Sequence, residues 1–149
     1  MRTFYTALSF LWLANLHADI PLSVTASLTQ AKVERRGYIL KLHLIVKNTS
    51  SQPIDLHVMN CSWFEHWKSD KSKISIVAWN CAKNFAVTVV LKSQEIYAKD
   101  LEVCLLRPVE LPYSFKMGFT PIGSKATYWS DNVQVNAKYI AEQDAAANP

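Results

Sequence analysis

Glycine is scarce in this chain. Only Gly37, Gly118 and Gly123 occur among 149 residues, and none sits in a Gly-rich loop able to bring backbone amides against a phosphate, so nucleotide cofactors held by such loops are not expected. Histidine is almost as sparse. Four are present, with no His-x-x-x-His pair, no His-Glu-x-x-His and no Gly-x-Ser-x-Gly, so no hydrolase signature stands out and no enzyme activity is expected. Charge of one sign is not concentrated either. The net charge of +4 comes from scattered lysines and arginines with one local cluster at Lys68, Lys71 and Lys73, which is a solvated surface and not the basic stripe of a nucleic-acid binder. No apolar run reaches the roughly 20 residues that a membrane span needs.

The longest apolar run, from Phe4 to Leu16, comes after Arg2 and precedes the small residue Ala18. That is the order of a secretory signal, a charged start, an apolar stretch of about 7–15 residues and a small-residue cleavage site. Residues 1–18 are expected to be such a signal, cut before Asp19. No cysteine lies beside the cut to carry lipid, so the product is expected to be secreted or periplasmic, without a stable membrane anchor. Residues 19–140 are enough for one domain with a hydrophobic core, and the polar end 141–149 reads as a flexible tail.

From Ile20 onward the dominant pattern is alternation. Leu22, Val24, Ala26 and Leu28 are apolar with Ser and Thr between them, and Tyr38, Leu40, Leu42, Leu44 and Val46 repeat the pattern with Lys41, His43 and Lys47 opposite. This period of two is that of a strand with one wet face. "NTSSQP" (48–53) supplies turn chemistry before a third strand at Ile54, Leu56 and Val58. Further strands are expected at 74–79, at 85–91, apolar enough to be central, at 96–106, at 113–119 and at Val133, Val135, Ala137 and Tyr139. Within 96–106, Ile96 and Ala98 keep one phase while Leu101, Val103 and Leu105 keep the other, which predicts a bulge near Lys99 or Asp100. Seven to eight short strands with no sustained helical period predict an all-β, antiparallel sandwich, a barrel of similar strand number being the alternative.

"LHLIVKNTSSQPIDL" (42–56) resembles the opening of small bacterial extracytoplasmic Ig-like domains. "VTVVLKSQEIYAKDLEV" (87–103) is similar to their later hairpin, which usually carries Leu-x-Pro-Gly-Glu; here Ser93 and Gln94 stand at the Pro and Gly places. Proteinase-inhibitor domains of the BsuPI type share this outline. The resemblance implies an Ig-like β-sandwich and, as one function, proteinase inhibition.

Three cysteines occur. In an oxidising compartment Cys61 and Cys81, at the ends of a lysine-rich connector, are expected to pair, closing a loop worth about 3 kcal/mol of denatured-state entropy. Cys104 lies in an apolar strand, where a free thiol behaves as a small hydrophobe; its pairing with either of the others or with a second chain stays open. A sharper reading of the same residues is a zinc or Cu(I) site of Cys61, His66 and Cys81, but oxidised thiols are favoured outside the cell and no metal or other cofactor is expected. Asn48-Thr49-Ser50 and Asn60-Cys61-Ser62 match the N-glycosylation pattern.

The remaining signal is aromatic. Trp63, Phe64 and Trp67 lie beside Lys68 and Lys71, with Trp79 further along and Tyr128 and Trp129 in a later connector. Large rigid rings next to charge suit an interface anchor or a platform for sugar rings. The expectation is therefore a non-catalytic binding module for a protein or glycan partner, with Trp63, Phe64, Trp67, Lys68, Lys71, Tyr128 and Trp129 as its surface. A proteinase inhibitor and a small extracytoplasmic metal-binding protein are the alternatives.

Overall fold

A computed structural model of the chain describes residues 20–141, so the expected signal and, apart from Ala141, the expected tail lie outside the described residues. Eleven strands succeed one another: β1 (Leu22–Glu34), β2 (Gly37–Asn48), β3 (Ile54–Met59), β4 (Trp67–Ser69), β5 (Ile74–Ile76), β6 (Ala86–Leu91), β7 (Ile96–Leu106), β8 (Tyr113–Phe115), β9 (Met117–Phe119), β10 (Tyr128–Trp129) and β11 (Val133–Val135). Every ladder is antiparallel, in sheets ordered β1-β2-β7-β5, β10-β9-β4, β11-β8 and β3-β6. The all-β antiparallel fold expected from alternation is the one observed. The strand number exceeds seven to eight because the segment 113–119 breaks into β8 and β9, and because two short strands, β4 and β10, form in segments expected as connectors.

β2 is the backbone of the arrangement. Leu40, Leu42, Leu44 and Val46 are fully buried, and their strand pairs with β1 on one side and β7 on the other. They share one buried cluster with Leu56 and Val58 of β3, Leu101, Val103 and Leu105 of β7, Phe115, Met117 and Phe119, so sheet packs on sheet as in a sandwich. Each fully buried Leu or Val contributes about 1.5–3 kcal/mol relative to exposure.

Four local expectations are corrected. β7 carries no bulge at Lys99 or Asp100. Its register with β2 is unbroken from Lys47↔Ile96 to Gly37↔Leu106, so Tyr97 and Lys99 share the inward phase of Leu101 while Ile96 and Ala98 face out. The bulge is in β1, between Leu28 and Gln30, and it lets Ala31 return to the core. Among the described residues β6 is an edge strand paired only with β3, and Val90 is 58% exposed, so it is not central. The last strand stops at Val135, and Ala137 and Tyr139 belong to a helical turn over 137–141. Asn136 starts that turn by accepting the Tyr139 amide on Oδ1 at 2.7 Å, the work of an N-cap. Likewise the strand expected over 74–79 ends at Ile76.

The first turn signal, at Asn48, does more than turn the chain. Asn48 is wholly buried. Its Nδ2 donates to the carbonyls of Gln52 (2.7 Å), Leu91 (3.0 Å) and Lys92 (3.1 Å), and its Oδ1 accepts from the Ser50 amide and hydroxyl. Its backbone bonds Gln94 and Glu95 as well. It therefore joins the β2–β3 turn to the 92–95 turn, and its burial leaves no room for a glycan on this Asn-Thr-Ser. In the second turn Gln94 adopts φ 65°, the left-handed region, at the place where the resembling hairpins carry Gly.

Both turns can be tested by substitution. Asn48→Ala strands carbonyls and an amide without partners and should lower unfolding stability by about 3 kcal/mol in denaturant melts. Gln94→Gly relieves a left-handed side chain and should raise stability by about 0.5–1 kcal/mol, a Cβ penalty of about 1–2 kcal/mol less the entropy of glycine; a loss of stability would show that the Gln94 side chain holds the turn.

Candidate functional site

The site grows from a covalent tie between two sheets. Cys61, just after β3, is disulfide-bonded to Cys81, on the segment leaving β5, with Cα atoms 5.9 Å apart. β3 pairs with β6 and β5 with β7, so the bond fastens the β3–β6 pair to the four-stranded sheet. Beside it, Ser62 is buried and fully used. Its amide donates to Asn84 Oδ1, its hydroxyl accepts from Asn84 Nδ2 at 2.6 Å and donates to Glu65 Oε2 at 2.9 Å. These bonds hold a single 3-10 turn, Trp63–His66, which continues directly into β4.

That turn presents aromatic rings to the segment on the other side of the disulfide. Trp79 lies 5.4 Å from Trp63 and 4.3 Å from Phe64, centroid to centroid, at tilted angles. Trp79 is nevertheless 42% exposed. Beneath the group, Lys99 reaches from the inward phase of β7 and places Nζ 5.7 Å from the Trp63 ring centroid and 5.3 Å from that of Tyr97, in the range of cation–π attraction. Burial pushes the Tyr97 hydroxyl up to about 12, so it stays neutral and the lysine supplies the charge between the two rings.

On the outward face of the same sheet a groove of about 430 Å³ is lined by Lys41, Val77, Ala78, Trp79, Asp100 and Glu102. Val77 is fixed there by the hydrogen bond that its amide donates to the Glu102 carbonyl, 2.9 Å. Lys41 and Glu102 are direct cross-strand partners, as are His43 and Asp100. His43 Nδ1 lies 2.8 Å from Asp100 Oδ1, and that bond holds the Asp100 carboxyl below its usual range. The groove thus has one aromatic and apolar wall and one wall of charges of both signs, of which Asp100 is held by His43. Such a lining suits a partner that offers an apolar or ring face together with hydrogen-bonding groups.

The seven residues expected to form one surface do not stay together. Trp63 stays with Trp79 at the corner. Phe64 and Trp67 are corrected to the core, 6% and 3% exposed. Trp67 is an inward residue of β4 opposite Phe119, with ring centroids 5.0 Å apart. Lys68, Gly118 and Trp129 form a cross-strand row. A Cβ on Gly118 would come within 2.8 Å of the Trp129 ring and 2.7 Å of the Thr127 methyl, so the ring lies across the glycine, with Lys68 Nζ 5.6 Å from its centroid. Tyr128 is half-buried and Lys71 is exposed beside Asp70. Among the described residues, no ring stacking or cation–π contact joins Trp129 to the Trp63–Trp79 corner.

Lys99, Asp100 and Glu102 were missed by sequence reasoning, though a signal existed. Continuing the phase of Leu101, Val103 and Leu105 backward puts Lys99 and Tyr97 on the inner face and Asp100 on the outer one.

The metal reading loses its ligands. The Cys61 and Cys81 sulfurs are bonded to each other. His66 is engaged too, because its Nε2 accepts the Met59 amide at 2.9 Å. Burial pulls the His66 pKa below its ordinary value of 6.5, while its bond to the Thr120 backbone and the nearby Glu65 carboxylate act in the opposite direction. Cys104 remains a free, partly buried thiol. No protein-family model matches the chain, and no curated protein is significantly similar to it.

Three outcomes are expected. Replacing Cys61 and Cys81 with serine should cost about 3 kcal/mol in equilibrium unfolding. Trp67→Ala should cost about 3–5 kcal/mol, whereas Trp67→Phe, which discards a buried Nε1 that has no partner among the described residues, should cost much less. His66 binds its proton more weakly folded than unfolded, so its contribution is intact above 6.5 and is lost as pH falls from there toward the lowered folded value. Thermal melts of His66→Gln should lose that part of the pH dependence; an unchanged slope would show that another group carries it.

Proposed function

We propose that the protein is a secreted or periplasmic, non-catalytic binding module that holds a protein or glycan partner at the corner formed by Trp63, Trp79 and the groove of Lys41, Asp100 and Glu102. The observation that carries this reading is Trp79. Its ring is held by Phe64 and Trp63 and by a disulfide two residues away, yet 42% of the residue remains in solvent. An indole fixed in place but uncovered loses little conformational entropy on binding, which is the requirement for an interface anchor. The disulfide also supports an oxidising compartment, because such bonds are rare where thiols are kept reduced.

Capture from the native extracellular fraction tests the proposal. Immobilised protein should retain a partner, and Trp79→Ala should weaken that capture by about ten-fold or more. The same variant should lower stability by only about 1–2 kcal/mol, because the ring packs on one side alone. Unchanged capture by Trp79→Ala would overturn the placement of the site. Stoichiometric inhibition of a secreted protease would replace the reading with the inhibitor implied by the resemblance of 42–56 and 87–103.

A further inference from the structure

The edge of β6 is left open in a way that the other edges are not. β1, the other long edge, is interrupted by a bulge between Leu28 and Gln30 and carries the Lys32–Glu34 ion pair; β5 has three residues. Bulges, charges and short length are the ordinary protections of a sheet edge. β6 has none of them. Residues 84–91, NFAVTVVL, contain no charge and no proline, the register with β3 is regular from Ile54↔Leu91 to Met59↔Ala86, and Phe85 and Val90 are each 58% exposed.

Hydrogen bonds at the ends of the ladder fix the direction of each backbone group in β6. The Asn60 amide donates to the Phe85 carbonyl at 3.0 Å, and the Phe85 amide donates to Asn60 Oδ1, so Phe85, and with it Val87, Val89 and Leu91, turns its polar groups toward β3. On β3 the alternate residues turn away, in keeping with two further bonds: the His57 carbonyl accepts from Ile122, and the Met59 amide donates to His66. The amides and carbonyls of Ala86, Thr88 and Val90 therefore face away from β3, and no backbone partner for them exists among the described residues.

We propose that β6 pairs antiparallel with β6 of a second copy of this chain, about a two-fold axis at Thr88, to give a dimer with a continuous β3-β6-β6-β3 sheet. In that register Ala86 lies opposite Val90 of the other copy and Thr88 opposite itself, so each outward pair exchanges both backbone bonds. The side chains agree with it. Val90 gains a small neighbour in Ala86, Phe85 lies opposite Leu91, and the strand Ala86–Leu91 brings no charged residue to the pairing, Lys83 and Lys92 lying beyond its ends. No like charges face each other directly. The pairing does not involve Trp79 and stands or falls separately from the proposed partner site.

Sedimentation equilibrium on the whole chain tests it, up to about 0.2 mM, because a single strand pair is a small and therefore weak interface. The expected result is a reversible monomer–dimer equilibrium. Thr88→Pro removes an outward amide and keeps the backbone bonds to β3, giving up the 3.0 Å contact of the Thr88 hydroxyl with His57 Nδ1, so it should weaken dimerisation by about ten-fold or more while leaving the circular dichroism of the monomer unchanged. Should Thr88→Pro fail to fold, Ala86→Pro at the first strand position removes another outward amide with less risk and should have the same effect. A chain that stays monomeric throughout the range, or a dimer that survives a folded proline variant, overturns the proposal; a monomer that instead takes up an added strand peptide at this edge also overturns it.

Discussion

The pairing of β2 along its whole length is the constraint on which the rest of the molecule depends. Leu40, Leu42, Leu44 and Val46 point into the core, and the same strand bonds β1 on one side and β7 on the other. A slip of one residue in either ladder would move this stripe to the wet face, so burial fixes the register of three strands at once. Once β7 is fixed, so is the alternation that sends Lys99 inward to Trp63 and Tyr97 while Asp100 and Glu102 face the groove. The charged wall of the site is a consequence of where the leucines must go.

The Cys61–Cys81 bond supplies what hydrophobic burial alone does not. Strand β4 comes directly after the 3-10 turn and is anchored by Trp67 on Phe119, which places Trp63 and Phe64 from one direction. Trp79 arrives from the other, past the short strand β5. The disulfide joins the two approaches, and the Ser62–Asn84–Glu65 bonds fix the turn beside it. An exposed ring is thereby positioned by elements that are themselves buried.

Much of the fold was legible because alternation reports burial directly. The stripe of β2 and the wet residues opposite it could be read from the sequence, as could the pairing of the two cysteines. Reading failed where apolar residues face outward. Ile96 and Ala98 suggested a second phase in β7, and the long apolar run of β6 suggested a central strand, because in both cases an exposed apolar side chain looks the same in sequence as a buried one. Trp67 failed for the complementary reason. Its lysine neighbour Lys68 suggested a surface, but in a strand adjacent residues face opposite sides, so an exposed Lys68 is what a buried Trp67 requires. The groove was invisible because its walls come from β2, β7 and the segment after β5, which no local pattern brings together.

The disulfide positions the Trp63–Trp79 corner, while the strand pairings of β2 hold the sheets without it. Backbone and indole NMR spectra of the native protein and of the form with serine at both 61 and 81 separate these two roles most directly. Shifts should change for residues near 60–66 and 77–85, including the Trp63 and Trp79 indoles, while β1, β2 and the 101–106 half of β7 keep their native positions. Native shifts at both indoles without the disulfide, or loss of the native pattern across β2, would contradict it.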